Sequence, residues 1–313
     1  MTMDLTRALL RLRPNPFRTV ASMRKSASRS RPDAPVPEAL RRSFSVTADT
    51  VRGHEVIMLT PRTGGVTTDL VYTHGGAYIH PLLGVHWQII AALIHGTGAR
   101  VTVPLYGLAP EHTADDAYQF LEDVYRTVSE RAGSAPVFLV GDSAGAGLAI
   151  GQAILYREKG IRAPNGLLLF SPWVDVTMSN PGIAAVTGLD PILAPEGLAA
   201  AGADWAGRRD ITDPLVSPLF DTLESLPQTS IYQGVTTSSC PMRRSSQPRP
   251  RPLVPGWTYG STPLHSTSSS LRRGPRKPAM RCIMRPTASP QGDQGRMSRT
   301  GPGLDWHPLS LQK

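Results

Sequence analysis

Ser143 stands between two glycines in the run Gly141-Asp142-Ser143-Ala144-Gly145. A serine hydroxyl becomes a useful nucleophile when a base takes its proton and N–H donors wait for the oxyanion that forms. The flanking residues show how such a hydroxyl is presented. Val137-Phe138-Leu139-Val140 reads as a buried strand of a parallel sheet, and Ala146 to Tyr156 as a small-residue, mostly apolar helix. A tight turn between them puts Ser143 at the helix N-terminus, where partial positive charge favours a developing anion. The two glycines let strand and helix pass closely. Five residues alone also fit an ordinary Gly/Ser turn, so the rest of the chain decides.

The donors have a second candidate source. His74-Gly75-Gly76-Ala77-Tyr78 follows the apolar strand Asp69–Thr73. Backbone N–H groups of Gly75 and Gly76 there can face an oxyanion, with the N–H of Ala144 as a third donor. His74 reads as a structural residue at the mouth of that loop, not as the base.

These residues need a scaffold, and the pattern supplies one. Val51–Leu59 reads as a first edge strand, ended by Pro61 and Gly64-Gly65. Residues 85–98 form a helix, Arg100–Leu105 a strand broken by Pro104, and Thr113 caps a helix whose Phe120, Leu121, Val124, Tyr125 and Val128 recur at helical spacing. Leu167–Phe170 and Thr229–Gln233 are further strands. Alternating strands and helices predict an α/β fold, a mostly parallel sheet with helices on both faces. Residues 46–234 would form this domain, with 175–225 as a cap insertion and 1–45 as an N-terminal cap or arm.

Three motifs now stand in order: His74-Gly75-Gly76, Tyr106-Gly107-Leu108-Ala109-Pro110-Glu111-His112, and Gly141-Asp142-Ser143-Ala144-Gly145. In this order and spacing the chain, from about residue 50 to 234, resembles the hormone-sensitive-lipase-like carboxylesterases of the α/β-hydrolase fold, bacterial family IV. The resemblance implies hydrolysis of a small acyl ester through an acyl-enzyme on Ser143, with Gly75, Gly76 and Ala144 as oxyanion donors, no cofactor and no metal. It also implies that residues 1–45 cap the acyl pocket. Where the family carries arginine, this chain has Gly107, which takes a partner from Glu111.

The same resemblance exposes a gap. The family's triad Asp follows the strand equivalent to Thr229–Gln233, and its His comes one strand and one loop later. Here residues 234–239 read Gly-Val-Thr-Thr-Ser-Ser, and no Asp or Glu occurs between Glu224 and Asp293. His265 and His307 lie among Ser, Pro and Arg without strand periodicity. Reading the tail one nucleotide upstream restores the pattern. Thr236 to Arg243 then permits HDIFLPDA, and Trp257 to Ser269 permits VDVRLYPAAFHVF, with the Asp on the codon of Thr237 and the His on that of Thr267. Residues 235–313 therefore read as a frameshifted, low-complexity and disordered tail, and the fold is expected to lack its last strand and helix. Catalysis should be impaired. The alternatives are an inactive hydrolase remnant, or a basic-tailed interaction protein using residues 243–313.

Charge supports dividing the chain at these points. Formal charge is +7 over residues 1–45, −9 over 46–233 and +11 over 234–313. The central domain is acidic, so the overall +9 does not describe a nucleic-acid-binding face, and none is expected. Cys240 and Cys282 both fall in the tail, leaving the domain without a disulfide or thiolate metal site. No apolar run reaches membrane-spanning length, and the N-terminus lacks the continuous apolar stretch of a signal peptide. A cytoplasmic location and a part in lipid metabolism are the expectations; oligomeric state is left open.

Overall fold

The computed structural model describes residues 15–29, 31–185, 187, 190 and 192–233, and two short strands at 257–260 and 283–286. Its centre is a seven-stranded sheet. In chain order the strands are β1 (Phe44–Val51), β2 (His54–Pro61), β3 (Asp69–Thr73), β4 (Arg100–Pro104), β5 (Val137–Asp142), β6 (Gly166–Phe170) and β7 (Thr229–Tyr232). They lie in the order β1-β2-β4-β3-β5-β6-β7. The β1–β2 and β2–β4 pairs are antiparallel, and every pair from β4 to β7 is parallel.

One edge differs from the expectation. The expected strand Val51–Leu59 spans a hairpin turn, at Arg52 (φ 48°) and Gly53 (φ 82°), where positive φ at both positions suits the twist of the flanking strands. The domain boundary at residue 46 accordingly falls inside β1. Apart from Phe44, β1 is exposed or half-buried along its length. It therefore carries little of the apolar alternation that marks a strand in sequence.

The inner strands are buried on both sides. Along β5, Val137 and Leu139 join one core, while Phe138 and Val140 join the other. Helices α1 (Val20–Ala27), α2 (Glu38–Ser43), α3 (Gly84–Thr97), α4 (Ala114–Ala132), α5 (Ala144–Glu158) and α6 (Pro195–Ala206) complete the layers. Phe120, Leu121, Val124 and Tyr125 of α4 and Leu148 and Ile154 of α5 fill the first core; Leu40 of α2 and Trp87, Ile90 and Ile94 of α3 fill the second. Helix α4 starts where the sequence placed it: the Thr113 N–H donates to Asp116 Oδ2 at 2.8 Å.

At the end of the sheet away from Ser143, Asp69 is only 1% exposed and accepts hydrogen bonds from Arg100 and Arg131. Burial alone would raise its pKa, but the two guanidiniums hold the carboxyl below its ordinary range. It ties β3, β4 and α4 together.

Between β6 and β7 the chain forms 3₁₀ turns at Pro181–Ala185 and Pro218–Phe220 around α6. The N-terminal segment docks there. Gly197 N–H donates to Phe17 O at 3.0 Å, and Val20 N–H to Glu196 Oε1 at 3.2 Å. The tail expected over residues 235–313, with the codons of Thr237 and Thr267, lies outside the described residues. The exception is an antiparallel pair, β8 (Trp257–Gly260) with β9 (Ile283–Pro286). No helix among the described residues is long and apolar enough to cross a membrane.

Candidate active site

Parallel pairing brings the two glycine motifs together. Thr73 of β3 lies opposite Gly141 of β5, so His74-Gly75-Gly76 and Asp142-Ser143 leave adjacent strands at the same level. Phe170 at the end of β6 pairs with Asp142. This is the carboxyl end of a parallel sheet, where α/β folds place their ligands.

Ser143 is the residue before α5 and has φ 51° and ψ −119°, a positive φ that a side chain rarely adopts. Four bonds hold this strained turn. Its N–H donates to Phe170 O at 2.9 Å, and its carbonyl accepts from Ala146 at 3.1 Å, Gly147 at 3.2 Å and Trp173 at 3.0 Å. Strain that the surroundings enforce is common where a side chain must be displayed. Ser143 is half-buried, and its hydroxyl has no hydrogen-bond partner among the described residues yet is not among their sealed polar atoms. It is open to solvent.

The glycines are steric requirements here. A Cβ on Gly141 would meet the backbone of Gly145 and Ala146, and one on Gly145 would meet the carbonyl oxygens of Thr73 and His74. Strand, helix and loop are packed backbone to backbone, and Thr73 Oγ1 donates to Gly145 O at 2.7 Å across that junction.

The loop after β3 carries three successive positive φ values, at Gly76 (134°), Ala77 (53°) and Tyr78 (63°). The second motif clamps it. Tyr106 Oη donates to His74 O at 2.7 Å, and Ala109 N–H to Tyr78 O at 2.9 Å. Gly107 has a steric role as well: a Cβ there would meet the His112 ring. Glu111 is exposed and makes no ion pair among the described residues.

Not all three expected donors are available in this state. Gly75 N–H donates to Asp142 Oδ1 at 3.0 Å. The N–H groups of Gly76 and Ala144 have no acceptor among the described residues. Sequence reasoning passed over Asp142, although a carboxylate beside the nucleophile is itself a signal.

His74 stays as a structural residue. Its ring is fully enclosed, stacks on Tyr106 with centroids 4.5 Å apart, and donates from Nδ1 to Gly75 O at 2.8 Å. Burial pushes its pKa down to about 4, only partly opposed by the Gly75 carbonyl. An imidazole neutral when folded and titrating near 6.5 when unfolded binds fewer protons in the native state. Stability should therefore fall as pH drops from about 6.5 to about 4, by about 3 kcal/mol at the low end. Urea midpoints measured across that window should show the loss, and His74→Asn should flatten the slope.

No group of three metal-ligating side chains occurs among the described residues. A family described as having the alpha/beta hydrolase fold matches residues 70–247, more than half of the chain. The chain belongs to that family. Within it the resemblance is to hormone-sensitive-lipase-like carboxylesterases.

Among curated relatives, a triacylglycerol lipase of Mycobacterium tuberculosis is 34% identical over 193 residues, 61% of this chain and 39% of the relative. An esterase of Acinetobacter venetianus is 33% identical over 189 residues, 59% of this chain and 60% of the relative. The chain thus spans less than two thirds of the length of either. Among solved structures, the hormone-sensitive-lipase homologue EstE7 from a metagenome library matches at 27% identity and TM-score 0.63, over 76% of this chain and 80% of its own. EstE5 matches at 26% and 0.64, over 75% and 79%. The hydrolase-family matches support ester hydrolysis as the general chemistry of the chain's relatives.

Proposed function

We propose that this chain derives from a carboxylic-ester hydrolase working through an acyl-enzyme on Ser143, and that it is catalytically impaired as it stands. The observation that carries the first part is the strained, solvent-open Ser143 at the start of α5, with the N–H groups of Ala144 and of Gly76 on the adjacent loop making no hydrogen bond among the described residues. Those donors would serve the oxygen of an ester carbonyl attacked by Ser143, where charge develops in acyl transfer. Esterases and lipases among the relatives support a carboxylic ester as substrate.

Impairment rests on what surrounds the hydroxyl. No base is bonded to Ser143 among the described residues, and the imidazole of the adjoining glycine loop, His74, is committed to Gly75 O. The acid-free interval from Glu224 to Asp293 removes the Asp that would orient a histidine. A protonated serine without a base attacks poorly.

The reaction class is tested by restoring the upstream frame from codon 235 and offering matched p-nitrophenyl butyrate, butyranilide and p-nitrophenyl phosphate. Turnover should be confined to the carboxylic ester and vanish with Ser143→Ala. Phosphate release, or ester cleavage indifferent to Ser143, would overturn the assignment.

A further inference from the structure

The carboxylate of Asp142 sits where β5 ends and supports the neighbouring loop from beneath. Its Oδ1 accepts from Tyr72 Oη at 2.6 Å and from Gly75 N–H at 3.0 Å. Its Oδ2 lies 3.6 Å from His86 Nε2, and a Cβ on Gly75 would strike that same oxygen. The side chain is 18% exposed, so these contacts are made largely away from water. Gly75 is consequently fixed through both its N–H and its bare Cα.

His86 is oriented toward this carboxylate. Its Nδ1 accepts from Leu83 N–H at 2.8 Å, so the proton of the neutral ring is on Nε2, facing Asp142. On the other side Asp33, from the N-terminal segment, accepts from Leu82 N–H at 2.7 Å, and its charge also faces His86. Ala34 adds two bonds, donating to Leu82 O at 2.8 Å and accepting from Trp87 Nε1 at 2.8 Å. The oxyanion loop is thereby linked through Asp142 and His86 to the segment that packs outside α3.

We propose that Asp142 is a positioning residue: by holding Gly75 it fixes the loop so that Gly76 and Ala144, and not Gly75, present N–H groups to the oxyanion. This rests on Ser143 being the acyl acceptor. The Gly75 N–H is not a donor held in reserve but the anchor point. Tyr72 fixes the carboxylate, since its phenol donates to the same Oδ1 that Gly75 uses. Burial, together with the Asp142 charge and hydrogen bond, pushes the Tyr72 pKa up, so the phenol keeps its proton as that donor.

The test uses the full chain and needs no turnover. Site-resolved amide hydrogen exchange reports the anchor. Butylboronic acid titration reports the hole, because boron accepts the Ser143 Oγ, the displaced proton goes to solvent and a boron-bound oxygen enters the hole. Asp142→Ala should speed exchange at Gly75 at least tenfold, leave Leu139 and Val140 unchanged, and weaken boronate binding about tenfold. Asp142→Asn keeps an oxygen for Gly75 and Tyr72 and should restore both readings to near the parent values. If the alanine variant does not fold, Asp142→Ser, too short to reach Gly75, takes its place.

Unchanged exchange at Gly75, or lost protection with undiminished boronate affinity, would overturn the proposal. Failure of the Asn variant to restore either reading would also overturn it. Absence of Ser143-dependent boronate binding in the parent chain would instead count against the Ser143 site itself, while the exchange arm would still decide whether Asp142 holds Gly75.

Discussion

The chain as it stands should hydrolyse p-nitrophenyl butyrate at a rate barely above buffer, and Ser143→Ala should change that rate almost not at all. In a serine hydrolase the base takes the nucleophile's proton and later returns one to the leaving group, so both halves of the reaction depend on it. Losing it costs on the order of a millionfold in turnover, and what remains, roughly 10³–10⁴-fold over water, comes from the oxyanion hole and binding. Members of such a constellation act as a unit, so removing the serine after the base is gone removes little more. Initial rates at several enzyme concentrations, for parent and variant together, check both statements. A rate that scales with enzyme and collapses with Ser143→Ala would reveal a base this account does not contain.

The largest expected effect on stability is at the junction of strand, helix and loop. Gly145→Ala should destabilise the domain by about 4 kcal/mol or more, because its methyl would press on the carbonyl oxygens of Thr73 and His74. Those atoms belong to the end of β3 and the start of the oxyanion loop, and backbone cannot swing aside as a long side chain can. At this domain size the melting temperature should fall by roughly 10 °C. Differential scanning calorimetry decides it: a midpoint within a degree or two of the parent would mean that loop and elbow are looser than this packing implies.

How much could be read in advance depended on burial. The strands Asp69–Thr73 and Val137–Asp142 and the helix Ala114–Ala132 are buried on continuous faces, so their apolar patterns are unambiguous. The strand Phe44–Val51 is an exposed edge with polar residues along it, and its pattern is silent. Ser143 and the two glycine motifs were legible because their chemistry constrains residue types in short runs. The use of Gly75 was not. Whether a backbone N–H faces a substrate or a neighbouring carboxylate depends on strand register, and the Thr73 to Gly141 pairing that sets Asp142 beneath Gly75 is a tertiary fact.

Gly107 shows the same limit from the other side. Its departure from the family pattern read as a lost partner for Glu111, whereas in the folded chain the His112 ring occupies the space beside it. His112 in turn lies 5.0 Å from the His54 ring. A residue's absence is informative only once its replacement is located in space.

The central claim is that nucleophile and oxyanion hole persist here while the base and its acid are lost to a shifted reading frame. The most direct measurement is kcat/KM for p-nitrophenyl butyrate on two proteins made side by side: this chain, and the same chain with the upstream frame restored from codon 235. The account predicts a rise of several orders of magnitude on restoration, abolished by Ser143→Ala in the restored protein. Equal activity in the two proteins, whether both high or both at background, would contradict it.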